Sequence, residues 1–232
     1  MTVDTLLDRL KSLGNPDELK GMAAFGMNTQ KRLGIRIPVL RKLGKELGTD
    51  HATALELWTT GYAEARILAA LTADPVRLTE EEMETWVKDF DSWDVCDQVC
   101  MNLFDRTPLA WKKVRDWADR KEEFVKRAAF SLIACLAWHH KKAKDEDFIA
   151  FFPLLKQAAV DERNFVKKAV NWALRHIGKR NISLNGEALK LAEEIRGIDS
   201  KSARWIAADA IRELQSDAVL ERLHKKGKVP IS

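Results

Sequence analysis

One tyrosine, three cysteines, six prolines and eleven glycines in 232 residues leave the chain poor in the residues that punctuate β-structure or staple small secreted folds. Cys96, Cys100 and Cys135 are odd in number and form no CxxC pair, which excludes a disulfide framework and suits a reducing compartment. Cys96 and Cys100, one helical turn apart, read as small buried hydrophobes. No apolar run approaches the roughly 20 residues of a membrane helix. The stretch from Met1 to Gly14 mixes acids and bases rather than forming a signal-peptide core, so no membrane is expected and the cytoplasm is the default location. There is little excess of either charge: 39 basic against 35 acidic residues give +4, which suits a nucleic-acid binder without requiring one.

Catalytic signatures of several classes are also missing. His139 and His140 are adjacent and cannot place both rings on one helix face, there is no HExxH, and His51, His176 and His224 have no triad pattern. Gly44 and Gly48 lack the Lys-Ser or Lys-Thr of a phosphate loop. Neither a metal nor a cofactor is expected.

Helical signals fill the rest of the chain. Thr79 and Glu82 form a capping box ahead of Met83, Trp86, Val87 and Phe90, which recur at i, i+3, i+4 and i+7. Pro38 and Pro108 read as first-turn prolines. About a dozen helices are expected, broken near 14–16, 28–37, 48–50, 74–78, 106–108 and 197–200. Every break is short, so residues 1–232 read as a single domain of stacked helices, and a monomer is the default. Lys225, Lys226 and Lys228 read as a frayed tail.

A repeat is visible when Phe124-Val125-Lys126-Arg127-Ala128 is laid over Phe165-Val166-Lys167-Lys168-Ala169. Ala203-Arg204-Trp205-Ile206 is a weaker later copy and Glu64-Ala65-Arg66-Ile67 an earlier one, at spacings near the roughly 40 residues of HEAT-type helix pairs. The fold class is therefore all-α: a right-handed superhelical solenoid of HEAT-like antiparallel helix pairs with a concave basic groove. A globular helical bundle is the alternative.

At about 100° per residue, Val125, Ala128, Ala129, Leu132, Ile133 and Leu136 form one apolar stripe, with Arg127 turned away from the core. In the next copy, Val166, Ala169, Val170, Ala173, Leu174 and Ile177 form the stripe, leaving Lys168, Trp172 and Arg175 opposite. An indole among cations either covers a neighbouring repeat or meets a ligand. Trp58, Trp86, Trp111, Trp117 and Trp138 read as core, whereas Trp205, off its stripe, either meets a ligand or caps the array. On the helix that begins near Ser92, Trp93 and Asp97 share a face, and Asp94 in the first turn serves the helix dipole.

The blocks Ser92-Trp93-Asp94-Val95-Cys96-Asp97, Phe124 to Ala129 and Phe165 to Arg175 resemble, in this order and spacing, the AlkD-like DNA glycosylases of the DNA alkylation repair family. The resemblance runs through nearly the whole chain. It implies HEAT-like repeats and excision of positively charged alkylated purines, such as 3-methyladenine and 7-methylguanine, from double-stranded DNA without drawing the lesion into a base pocket. Carried over by position, Asp97 resembles the catalytic carboxylate, Trp93 and Trp172 the cleft tryptophans and Arg127 the active-site arginine. Arg175 resembles a DNA-backbone contact, and Phe25, near Leu33-Gly34-Ile35, an aromatic that meets the duplex. Lys168 and Lys179 are expected to join Arg175 on phosphates. A non-catalytic DNA-binding or protein-binding scaffold is the alternative.

Overall fold

A computed structural model describes residues 2–227, which form fifteen α-helices and no strand. These are α1 (Val3–Ser12), α2 (Pro16–Ala24), α3 (Ile37–Leu47), α4 (His51–Thr59), α5 (Ala63–Thr72), α6 (Glu80–Lys88), α7 (Trp93–Asn102), α8 (Ala110–Ala118), α9 (Glu123–His139), α10 (Asp145–Ile149), α11 (Phe152–Ala158), α12 (Asn164–Gly178), α13 (Ile182–Arg196), α14 (Lys201–Leu214) and α15 (Asp217–Gly227). Side chains chosen for the job start several of them. Asn15, Asp50, Asn181 and Ser200 each accept a backbone N–H from the first turn they precede, and Thr79 with Glu82 makes the full capping box. Pro38 lies in the first turn of α3, as its fixed φ favours. Pro108 does not: it sits in the turn before α8.

The chain divides into two compact units, Met1–Trp111 and Lys112–Ser232. In the first, α3, α4 and α7 pack against α5, which buries Ala65, Ile67, Leu68 and Ala69 among them. Trp58 and Trp86 stack with ring centroids 3.9 Å apart, and the Trp58 indole N–H donates to Asp89 at 2.8 Å, so a large aromatic pair is buried with its polar edge satisfied.

In the second unit α9 runs along α12, and α12 along both α13 and α14. The repeat seen in the sequence is physical here, because its equivalent residues Phe124 and Phe165 meet with ring centroids 5.4 Å apart. Close approach has a sequence cause as well. A Cβ on Gly178 would lie 2.7 Å from a Leu214 methyl, so glycine there lets α12 and α14 come together.

Trp58, Trp86 and Trp117 are core residues as expected, and Trp111 is half-buried. Trp138 is not core: it is 47% exposed, because in the last turn of α9 it meets His139 and His176 rather than a packed helix face. Lys225 and Lys226 are helical, within α15, rather than a frayed tail; Lys228 lies outside the described residues.

Candidate nucleic-acid site

The residues carrying the resemblance fall in both units, Trp93 and Asp97 on α7 in the first, Arg127 on α9 and Trp172 on α12 in the second. On α7, four residues place the Trp93 and Asp97 side chains one turn apart on one face, and both are partly buried.

The start of α7 is held by the segment that precedes α3. The Arg32 guanidinium grips the Asp94 carboxylate at two points, 2.7 and 2.9 Å, with both residues buried, and its Nε donates to the Asn28 carbonyl at 2.8 Å. Ser92 Oγ donates to Asp94 at 2.6 Å and accepts the Asn28 N–H at 3.2 Å. Asp94 therefore does more than complement the helix dipole, since its charge is committed to a buried pair. Paired bidentate geometry of this kind is strong and directional.

The same segment is fixed at its other end by Glu64, 1% exposed, whose carboxylate accepts the N–H groups of Leu33, Gly34 and Ile35 at 3.0, 2.8 and 3.2 Å. Gly34 has φ +79°, and a Cβ there would fall 2.1 Å from the Asn15 carbonyl oxygen, so no other residue fits. The outcome is a fixed acceptor for the Trp93 indole, whose N–H donates to the Phe25 carbonyl at 3.0 Å. The Phe25 ring itself is 75% exposed. Sequence reasoning missed Arg32, Asn28 and Glu64 as residues that position Trp93. Their partners lie some 30 to 60 positions away, and no local pattern marks them.

On α9, Arg127 corrects the helical-wheel expectation. It is 5% exposed, not turned to solvent, and donates to the Phe165 carbonyl at 2.5 Å. The wheel gives a direction relative to the helix's own stripe, whereas here the first turn of α12 covers that direction. Trp172 is partly buried, with its ring edge-on to His176 at 5.6 Å. His176 is pushed down to about 3 by burial, assisted by the positive charges of Lys179 and Arg175, and is neutral near pH 7.

Lys168 is exposed. Arg175 and Lys179 are not open cations: both bind the Glu213 carboxylate, Lys179 at 2.5 Å, and Arg175 Nε also lies 3.7 Å from Asp209. Burial would raise the Glu213 carboxyl, but hydrogen bonds from these two cations hold it below the usual range. Its full negative charge thus offsets part of theirs.

A family model described as DNA alkylation repair enzyme matches residues 6–214. The chain belongs to this family. Among solved structures, this member of the family is similar to a protein of "a new family of proteins related to the HEAT-like repeat DNA glycosylases with affinity for branched DNA structures". The match has a TM-score of 0.79 at 20% identity and covers 96% of each chain, and it identifies the fold as HEAT-like. A designed armadillo repeat protein in complex with the peptide (KR)4 matches at a TM-score of 0.38 and 17% identity, over 94% of this chain and 86% of its own. No curated protein matches significantly. Among the described residues of this family member, no helix is long and apolar enough to cross a membrane.

Proposed function

We propose that the protein is a DNA glycosylase that removes cationic alkylated purines from duplex DNA. Family membership supports the substrate class, and the observation that carries the catalytic reading is the difference in burial between two carboxylates on α7. Asp94 is buried and bound by Arg32, while Asp97, one turn from the base of Trp93, retains access to solvent. Methylation at N3 of adenine or N7 of guanine leaves the base positively charged, so it can depart without prior protonation. The C1′–N bond breaks, its electron pair neutralises the departing base, and positive charge develops on the deoxyribose. Asp97 stabilises that charge and orients the water that attacks C1′, whose proton passes to the carboxylate and then to solvent. Trp93 and Trp172 present indole faces to the sugar cation and exclude water. Arg127, held by Phe165, contributes positive charge toward the phosphate, with Lys168, Arg175, Lys179 and Phe25 along the duplex.

Single-turnover release of 7-methylguanine from duplex DNA tests this reading. Asp97→Asn is expected to lower the rate by about 100- to 1,000-fold, the scale of losing one preorganised charge at a transition state. Equal rates for the two proteins overturn the assignment. A second reading, a non-catalytic binder of branched DNA, draws support from the burial of Arg127 and from the affinity ascribed to the similar structure. Tight binding by the wild type with no base release favours it.

A further inference from the structure

Trp205 lies off the apolar stripe of α14, a position that suits either a ligand or a cap on the array. α15 packs against α13 and α14 beyond it, and the indole nevertheless keeps 41% of its surface exposed. Trp205 is therefore no cap. The buried stripe Ala203, Ile206 and Ala207 of α14 repeats Val166, Ala169 and Val170 of α12, and in this register Trp205 takes the place of the exposed Lys168. The ring thus leaves its helix on the side where the preceding repeat carries a cation.

A cation from that repeat is seated on the ring. Lys167 reaches from α12 to α14 and sets its Nζ 5.1 Å from the Trp205 ring centroid, where the negative face of the indole attracts an ammonium. Among the described residues Lys167 has no carboxylate within ion-pair distance, and neither has Lys201, exposed on α14 one turn before Trp205. The acids around them are engaged elsewhere. Glu162 accepts the Ser200 hydroxyl at 3.0 Å and the Ser202 N–H at 3.2 Å, and these bonds, ahead of the charges of Lys167 and Lys201, hold its carboxyl below the usual range. Asp199 pairs with Arg204 at 3.0 Å, and Asp209, one turn beyond Trp205, pairs with Arg212 and lies 3.7 Å from Arg175 Nε. The Lys167 ammonium is held in place by a ring, and its N–H groups are left for an anion.

We propose that Trp205 and Lys167 form a further DNA-backbone subsite, in which a deoxyribose lies against the exposed indole and the adjoining phosphate is bound by the Lys167 ammonium, with Lys201 adding charge. The proposal rests on the reading that DNA is the partner. A nucleic-acid strand alternates a charged phosphate with an apolar sugar surface, and a cation 5.1 Å from an indole matches that alternation. The ring holds the ammonium in advance, which lowers the entropic cost of binding phosphate. Both residues are separate from Trp93, Asp97, Arg127 and Trp172, so the subsite grips backbone whether or not a base is alkylated.

Fluorescence anisotropy with an undamaged duplex tests the subsite. Trp205→Ala is expected to weaken binding by about tenfold, the scale of losing one aromatic anchor, and Trp205→Phe to keep most of the affinity. Lys167→Gln is expected to reduce the slope of log K against log salt by about 1, as for one lost phosphate contact. Because the ring positions the ammonium, the double variant should bind more tightly than the product of the two single losses implies; fully independent losses overturn the shared subsite. Lys167 is partly exposed, so Lys167→Gln carries the test by itself should Trp205→Ala fail to fold, an unchanged slope overturning the proposal. Tight duplex binding that is equal in wild type and folded Trp205→Ala overturns the subsite alone. A polyglutamate peptide that binds as tightly as duplex, with the same dependence on Trp205, overturns the assignment to DNA backbone. Failure of the wild type to bind duplex overturns the DNA reading and the subsite with it.

Discussion

Asp94 and Asp97 lie one turn apart on α7 and differ in exposure, Asp94 being buried against Arg32 and Asp97 only partly covered. Breaking the buried Arg32–Asp94 pair leaves an uncompensated cation, which costs about 3–5 kcal/mol in comparable buried pairs. Asp94→Asn is accordingly expected to lower the midpoint of chemical denaturation sharply; urea titration of the variant beside the wild type checks this. His176 offers a second residue-scale test. Its folded pKa, about 3, is below the ordinary 6.5, so as pH falls below 6.5 the unfolded chain takes up a proton that the folded chain refuses. Stability contributed by this ring is complete above pH 6.5 and declines as pH drops toward 3, at up to about 1.4 kcal/mol per pH unit. His176→Gln should show a shallower loss of stability between pH 6 and 4 than the wild type, measured by thermal melts across that range.

At the scale of elements, the segment between α2 and α3 acts as a strap that ties α5 to α7, with Glu64 at one end and the Arg32, Asn28, Ser92 and Asp94 network at the other. Its geometry depends on Gly34. Gly34→Ala places a methyl group against the Asn15 carbonyl at a positive φ, with an expected cost of about 2–4 kcal/mol from the two penalties together. If the strap positions Trp93, a milder change should be felt in function first: Asn28→Ala, which removes the Asp91 contact and the Oδ1 that accepts the Gln30 N–H while leaving the backbone bond to Ser92, is expected to reduce excision several-fold with a small shift in melting temperature. A parallel fall in both would mark Asn28 as structural only. Legibility at this scale was uneven. The capping box at Thr79 and the Phe124/Phe165 repeat were readable because their signals are local or periodic. The strap was invisible, because a carboxylate that caps three distant N–H groups looks in sequence like any other glutamate.

For the whole molecule, a charge of +4 does not tell which of its cations are available to an anion. Glu213 offsets part of the charge of Arg175 and Lys179, so Glu213→Gln is expected to raise affinity for duplex DNA and to steepen its salt dependence, by about 1 in slope per released phosphate contact. An unchanged slope would place both cations outside the DNA interface. The sequence by itself determined the all-α class, the HEAT-like period and the family, because these depend on composition, helical periodicity and ordered motifs along the chain. Only the tertiary structure decided that Asp94 is consumed by Arg32, that Arg127 lies under the start of α12 and that Trp138 is open. A helical wheel fixes where a side chain leaves its own helix; what awaits it there, a carbonyl, a counter-ion or water, is set by residues brought close only when the helices pack.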